Sequence, residues 1–246
     1  MIPSQYFELL RDAEDPPFLK KPRGLIWRGS STGSFFCPCN ATDGHCHHWD
    51  CGPSGDNCVL TRLAKGEDLK HGERPVRSEL LYRWFHGNSR IDVALSSITQ
   101  CAQSYVDRYS KYVKPRQTLA EMLQYRYVLS IEGNDVATNT KWILASNSLL
   151  FMPVPKMESW LLESRLVAYT HYVPVKSDFT DLAEKVAWAD AHSGECRRMV
   201  RAGQEYMSAF ADVQRERWVE STVFAEFYRY ARANPALVER QVRSYY

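Results

Sequence analysis

The chain has no long apolar run and no marked excess of charge of either sign. A helix that crosses a bilayer needs about 20 consecutive apolar residues, and no segment approaches that length, so the sequence predicts no membrane span in this chain. The N-terminal segment also lacks the apolar core of a secretory signal. The net charge is only +2, so composition does not support nucleic-acid binding, and no nucleic-acid partner is expected.

Low-complexity tracts are missing as well. The chain is 44% hydrophobic, 13% aromatic and 24% charged, which is typical of globular proteins and not of disordered ones. Its 246 residues are enough to bury a substantial core. The composition therefore predicts a folded protein of one large α/β domain, or of one and a half ordinary ones.

The stretch from Tyr127 to Pro153 has the clearest pattern. It opens with YVLSI, an apolar run typical of a strand buried on both faces. Gly133 allows a tight turn, apolar residues return at helical spacing from Val136 to Asn147, and Leu149–Met152 predicts a second strand. The open end of such a βαβ unit can hold a phosphate. Because Gly133 is a single glycine and not a G-x-G-x-x-G array, an ordinary crossover fits the turn equally well.

A second glycine-bearing loop follows the strand predicted at Leu25–Trp27. It runs from Arg28 to Gly33 (RGSSTG), and its N–H and O–H groups can surround an anion, with Arg28 as a bidentate partner. The alternative interpretation is an ordinary Gly/Ser turn. If the loop is functional, we expect it to lie beside the Gly133 turn in one sheet.

Residues 34–76 interrupt the regular pattern with a Cys/His-rich insertion. Three interpretations stay open: a zinc site, disulfides in an oxidising compartment, or a surface insertion with free thiols. The cysteine spacing lacks the paired C-x2-C knuckles of standard zinc modules. The cysteines and histidines concerned are Cys37, Cys39, Cys46, Cys51 and Cys58 with His45, His47 and His48, and the candidate zinc ligands are Cys37, Cys39, Cys46 and Cys51.

The rest of the chain alternates between helical and strand-like spacing. Strands are predicted at Ile91–Leu95 and His171–Val175. The last predicted helix, 213–232, carries an aromatic stripe that we interpret as a face packed on the sheet; it includes Trp218, Val219, Val223, Phe224, Phe227 and Tyr228. The other predicted helices are 77–85, 119–125, 157–166, 179–191 and 195–210.

Several motifs of this sequence, and the order in which they occur, resemble glycosyltransferase family 90. That family includes the CAP10-like capsule xylosyltransferases, the protein O-glucosyltransferases and bacterial lipopolysaccharide glycosyltransferases. The resemblance covers about residues 24–210 and is greater to the lipopolysaccharide-type branch than to the animal one. The matching residues are Trp27-Arg28-Gly29-Ser30 with Thr32-Gly33, then Arg77, Ile91-Asp92-Val93, Glu132-Gly133-Asn134-Asp135, Lys141 to Leu149, Glu158-Ser159-Trp160 and His171 to Asp178.

The resemblance implies the α/β fold class, with a Rossmann-like parallel sheet and flanking helices that form the C-terminal, donor-binding part of a GT-B fold. Residues 24–210 would be the nucleotide-sugar-binding domain, 34–76 its insertion, 211–246 a C-terminal helix packing on the domain, and 1–23 a linker or remnant. The implied reaction transfers a sugar from a UDP-sugar donor to a hydroxyl of a glycan, lipid-linked glycan or protein. It is inverting and metal-independent, and it implies no cofactor, only the UDP-sugar as co-substrate.

Without a metal, the leaving diphosphate must be stabilised by backbone N–H groups, hydroxyls and a cation. The animal branch carries an arginine on the first turn of the helix that follows the Gly133 turn, where this chain has Asn139. We therefore expect Arg28 or Arg77, or a group elsewhere, to supply the positive charge. Glu158 would contact the ribose by analogy with other GT-B enzymes. The expected donor-binding residues are Arg28, Gly29, Ser30, Ser31, Thr32, Gly33, Arg77, Gly133, Asn134, Asn139 and Glu158.

The family's carboxylate base lies in an N-terminal domain, upstream of the Trp-Arg-Gly motif. Here 26 residues precede Trp27, and their acidic residues are Glu8, Asp12, Glu14 and Asp15. We therefore expect the general base to lie outside this chain. Two hypotheses follow: a glycosyltransferase or its donor-binding part, and a non-catalytic relative that retains only the nucleotide-sugar site.

Overall fold

The computed structural model describes residues 13–32, 76–99 and 109–236, with Leu10 and Val106 besides. These residues form a five-stranded sheet in the order β2-β1-β3-β4-β5, in which every pair is parallel. The predicted Rossmann-like α/β architecture is confirmed. The Cys/His-rich insertion and Gly33 lie outside the described residues, so the predictions for them stay predictions. The strands are β1 Leu25–Ser30, β2 Ile91–Ser97, β3 Tyr127–Leu129, β4 Leu149–Met152 and β5 Val173–Pro174.

Six α-helices and three short 3-10 turns accompany the sheet in the described part of the chain. The helices are α1 Val76–Trp84, α2 Leu119–Leu123, α3 Asn139–Ala145, α4 Leu182–Ala191, α5 Ser193–Ser208 and α6 Val213–Ala233. The 3-10 turns are Phe18–Lys20, Ser110–Tyr112 and Glu163–Arg165. Within these residues, no helix is both long enough and apolar enough to cross a bilayer.

The helix predicted over 157–166 does not form. At the start of the segment, backbone N–H groups bond to side chains: Met157 N–H donates to the Glu132 carboxylate, and Ser159 N–H to that of Glu163. Further on, the N–H groups of Leu162, Arg165 and Leu166 bond to carbonyls three residues earlier, as in 3-10 turns and not as in an α-helix. Leu162 then takes a left-handed conformation with φ 56°, which interrupts helical geometry. Only the 3-10 turn Glu163–Arg165 remains.

Both faces of the sheet are buried. Tyr127 and Leu129 of β3 belong to one apolar cluster, whereas Val128 between them belongs to the other, and all three are fully buried. A sheet covered on both sides explains why its central strands are continuous apolar runs. Helices α4 and α5 supply Val186 and Met199 to the first cluster, and α3 supplies apolar residues to the second.

The segment that precedes β1 is part of the domain and not a linker. Phe18 is buried, and the buried Lys21 ammonium donates to the Asp15 carboxylate at 2.5 Å. Asp15 also accepts the Asn147 N–H at 2.7 Å, and Arg126 donates to the Lys21 carbonyl. A linker therefore does not describe residues 13–23, because Lys21, Asp15 and the Phe18 ring tie this segment to β3 and to the residues that precede β3 and β4. The alternative of a remnant stays a prediction.

The prediction that the aromatic stripe of helix α6 packs on the sheet is also wrong. None of the residues of this helix is buried, and Trp218 is 68%, Phe224 57% and Tyr228 66% exposed. Its aromatic stripe thus does not pack on the sheet. The reason is that other helices and loops already cover both faces of the sheet, which leaves no apolar surface there for α6.

Helix α5 approaches α3 at Gly203. A Cβ atom there would lie 3.0 Å from Leu144 Cδ2 and 3.2 Å from the Leu144 carbonyl oxygen. We predict that Gly203→Ala lowers the free energy of unfolding by about 1 kcal/mol, because overpacking against a backbone carbonyl outweighs the gain in helix propensity. Urea denaturation measures the change.

The matched control is Gly194→Ala in the same helix, where a Cβ would have nothing within 4 Å. That variant should be unchanged or more stable, by up to about 1 kcal/mol. Equal stability of the two variants would contradict the tight contact between α3 and α5.

Candidate functional site

Two loops meet at the carboxyl edge of the sheet, after β1 and after β3. The two strands are hydrogen-bonded neighbours, with Leu25 opposite Tyr127 and Ile26 opposite Val128. The expectation that the two glycine turns lie side by side is confirmed. The chain leaves β1 for β2 on one side and then crosses to β3 on the other, so the gap between β1 and β3 is the topological switch point where α/β proteins bind ligands.

Arg77, near the start of α1, bridges the two loops. Its Nη1 donates to the Ser30 carbonyl and to Thr32 Oγ1, both at 2.7 Å. Its Nη2 donates to the Ile131 carbonyl at 3.1 Å. One guanidinium therefore fixes the ends of β1 and β3 relative to each other.

Arg77 has no counter-ion in the part of the chain that the structure describes. All its hydrogen bonds go to uncharged oxygens, and no carboxylate among the described residues forms an ion pair with it. Its Nε is buried without a hydrogen-bond partner. Burial lowers the pKa of Arg77 to about 10, so the group still carries its charge at neutral pH. Partial removal of a cation from water without a counter-ion is energetically unfavourable, and a bound anion would relieve that cost.

Gly133 makes this arrangement sterically possible. A Cβ atom at this position would lie 2.8 Å from Arg77 Nη2 and 2.9 Å from Thr32 Oγ1. Real Cβ atoms do not approach other atoms so closely, so any side chain at this turn would displace the guanidinium. The close approach of the Arg77 guanidinium therefore explains why position 133 is a glycine.

Arg28, the other expected cation, already has a counter-ion. Its Nη2 lies 2.6 Å from Asp92 Oδ2, and its Nη1 donates to the carbonyls of Trp27 and Asp92. Only 6% of its side chain is exposed. Burial of Asp92 disfavours its charged form, but Arg28 and Lys114 together hold the pKa of that carboxyl below its ordinary value. The positive charge of Arg28 is therefore largely neutralised by Asp92.

Two clefts open beside the Arg77 bridge. The residues that line both are Thr32, Arg77, Ile131, Gly133, Val136 and Ala137. The apolar cleft, about 900 Å³ and open to solvent, is lined chiefly by Ile131, Val136, Met152, Pro153, Val154, Pro155 and Met157. The polar cleft, the more polar of the two, is about 760 Å³ and also open to solvent, and it is lined besides the shared residues by Arg28, Ser30, Asn134, Asp135, Thr138 and Asn139 with Trp27 and Gly29. The two sides of the Arg77 guanidinium therefore differ in polarity.

Other expected donor-binding residues have contacts within the fold. Ser31 is buried, and its hydroxyl donates to the Thr99 carbonyl and accepts the Thr99 N–H. The Asn139 side chain joins α3 to β3, because it accepts from Ser130 Oγ and donates to the Leu129 carbonyl. Both residues thus shape the site from behind.

Glu158, expected at the ribose, is exposed and accepts a hydrogen bond from Ser164 Oγ at 2.5 Å. It is not among the residues that line either cleft. Glu132 and Glu163 line the apolar cleft instead. Sequence reasoning assigned neither a role, although Glu132 stands immediately before the turn glycine, where a carboxylate can accept backbone N–H bonds.

A parallel sheet with two turns and an arginine at its switch point is an α/β fold of the Rossmann-like type, in which this point is the usual place for a ligand. The chain belongs to glycosyl transferase family 90, whose family model matches residues 66–239. That range contains Arg77 and the Gly133 turn, and it extends beyond residue 210, through α6.

Known relatives share part of this chain. The O-glucosyltransferase LpsA of Dichelobacter nodosus is 38% identical over 144 residues, which cover 58% of this chain and 43% of LpsA. Protein O-glucosyltransferase 2 of Danio rerio is 32% identical over 89 residues, 35% of this chain and 17% of that protein. The uncharacterized protein 027R of frog virus 3 is 29% identical over 102 residues, 39% of this chain and 10% of that protein. The chain thus spans less than half the length of these relatives.

We predict that Gly133→Ala weakens anion binding at the turn, because the new methyl group forces the Arg77 guanidinium away from it. Isothermal titration with inorganic pyrophosphate should show a loss of about tenfold, the size of one charge-assisted hydrogen bond. Gly24→Ala, at the opposite end of β1, is the control, since a Cβ there meets nothing closer than 3.7 Å. If both variants bind pyrophosphate like the wild type, the turn does not hold the anion.

Proposed function

We propose that this chain is the donor-binding part of a glycosyltransferase and holds a UDP-sugar at the switch point of its sheet. The observation that carries the proposal is the half-buried guanidinium of Arg77 between the two turns, which has no counter-ion among the described residues. A nucleoside diphosphate would supply negative charge beside this cation. Family membership supports sugar transfer as the chemistry that uses such a donor.

Arg77 has the principal role in the proposed reaction. As the bond between sugar and diphosphate breaks, negative charge develops on the departing UDP, and a positioned cation stabilises it without a metal ion. The hydroxyls of Ser30 and Thr32, which lie 3.2 Å apart, add neutral hydrogen-bond donors. Asn134, exposed on the polar cleft, remains in the proposed donor-binding set.

The two clefts suggest how the donor is oriented. The apolar cleft offers Met152, Val154 and Met157 to the flat face of a uracil ring, whereas the polar cleft offers hydrogen-bonding groups to the hydroxyls of a sugar. We place the nucleoside in the first and the hexose or pentose in the second. The names of the bacterial and fish relatives make UDP-glucose the first donor to test.

Arg77→Met should lower UDP affinity by about ten- to a hundredfold, because a charge-assisted contact to phosphate contributes about 1.5–3 kcal/mol. Calorimetry at constant ionic strength measures it. Arg90→Met is the matched control: it removes the same charge from the opposite edge of the sheet, where Arg90 pairs with Asp190. Arg28→Lys should cost less than Arg77→Met, since Arg28 is already bound to Asp92. Unchanged UDP affinity in a folded Arg77→Met protein would refute this assignment.

The second hypothesis, binding without transfer, is favoured by where the carboxylates lie. Asp15, one of the acids considered as a base, is bound to Lys21 and Asn147 at the far edge of the sheet. Within the described residues, the acids that line the clefts accept backbone N–H bonds: Glu132 from Lys156 and Met157, Asp135 from Val136, and Glu163 from Ser159.

We therefore predict that the 246-residue chain alone binds UDP but transfers little or no sugar. Radiolabelled UDP-glucose incubated with lipid, glycan and peptide acceptors measures transfer. Robust turnover that Asp15→Asn abolishes, with the variant still folded, would show that the general base lies in this chain after all.

A further inference from the structure

The wall of the apolar cleft, residues 153–163, is fixed by side chains and not by secondary structure. Buried Leu161 and the Tyr206 hydroxyl hold its C-terminal part, and two carboxylates hold the part that faces the cleft. The wall connects β4 to the 3-10 turn that begins at Glu163 and has no helix or strand of its own before that turn. Val154 and Met157, two apolar side chains of the wall, line the cleft. Without an anchor, a segment of this length would sample many conformations.

The near end of the wall is held by Glu132. Its Oε1 accepts two backbone hydrogen bonds, from the N–H groups of Lys156 and Met157, each at 2.9 Å. Hydrogen bonds to a charged acceptor are stronger than neutral ones. Since Glu132 immediately precedes Gly133, the turn that contacts Arg77 also holds the opposite wall of the cleft.

The far end of the wall is held by Glu163. Its carboxylate accepts the Ser159 N–H at 2.6 Å and the Ser159 hydroxyl at 2.8 Å, and it pairs with Lys141 Nζ at 3.0 Å. Both charged side chains of the pair are buried. Burial works against ionisation of Glu163, but the Ser159 and Lys141 contacts hold the pKa of Glu163 below its ordinary value.

Both anchors start from the structure that forms the floor of the cleft. Lys141 follows Thr140 in α3, and the Thr140 hydroxyl shares a hydrogen bond of 2.7 Å with that of Ser130 at the end of β3. Glu132 comes from the turn that joins β3 to this helix. The β3–α3 unit thus contains the Gly133 turn of the proposed anion site. It also holds the apolar wall, through Glu132 and through Lys141, which pairs with Glu163.

We propose that Glu132 and Glu163 are positioning residues for the nucleoside of the donor. They hold the wall at the spacing that a pyrimidine ring requires, through backbone N–H groups and Lys141. Although both carboxylates also line the cleft, we infer that their effect on nucleoside affinity acts through the wall. This inference rests on the proposed function, because it needs a nucleotide in the cleft. Its signature is a selective loss: affinity for the nucleoside part falls while affinity for the diphosphate part does not.

The test compares three ligands on wild type, Glu132→Ala and Glu132→Gln by isothermal titration: UDP, 2′,3′-dideoxy-UDP and inorganic pyrophosphate. Glu132→Ala should bind both nucleotides about tenfold more weakly, since two charge-assisted bonds to the wall are lost. Its pyrophosphate affinity should stay within about twofold or rise, because a negative charge near the anion is removed. Glu132→Gln retains one acceptor oxygen and should recover part of the nucleotide affinity. Glu184→Gln, on exposed α4 surface, controls for the change in charge.

Several results would overturn the inference. An equal loss for pyrophosphate would show general damage to the site, and unchanged UDP affinity would show that the wall needs no such anchor. A loss for UDP that disappears with the dideoxy ligand would mean that Glu132 contacts the ribose directly. If Glu132→Ala does not fold, the same comparison on Glu132→Gln decides, with a loss of about threefold expected for both nucleotides only. A wild-type chain that binds no UDP refutes the proposed function itself, and the inference with it.

Discussion

The positive charge of Arg77 is held by oxygen atoms that carry no formal charge. Two carbonyls and one hydroxyl, from the loops after β1 and β3, fix the guanidinium in a partly buried position. This cross-link brings together strand ends that are remote in sequence, and it requires a glycine at position 133. The clefts on either side exist because the bridge separates them. The architecture of the site therefore depends on one charged side chain that has no counter-ion among the described residues.

Much of the fold was predictable because its strands are buried on both faces. Runs such as Tyr127–Leu129 and Leu149–Met152 have few alternatives to a central parallel strand, and the structure places them there. The switch point followed from the two glycine turns, since parallel neighbours present their carboxyl ends at one edge. The choice between Arg28 and Arg77 did not follow, because it depends on the ion pair with Asp92 across β1 and β2.

Where prediction was wrong, contacts remote in sequence decided the structure. The 157–166 segment has helical spacing, but the left-handed conformation of Leu162 and the carboxylates of Glu132 and Glu163 give it another conformation. The segment around Phe18 was interrupted by prolines and looked like a linker, yet Asp15 and Lys21 bind it to the chain before β4. The α6 stripe has the periodicity of a packed face, but periodicity does not say whether a surface is left to receive it.

The buried pair of Lys141 and Glu163 also constrains how this sequence can change over time. Loss of either partner alone would leave a buried charge uncompensated, at a cost of about 3–5 kcal/mol, which is a large part of the stability of an ordinary domain. Replacement of both by apolar residues of similar volume can be nearly neutral. The route between these two acceptable states passes through a severely destabilised intermediate. Such a pair is therefore retained by the difficulty of leaving it one substitution at a time, whatever it contributes to binding.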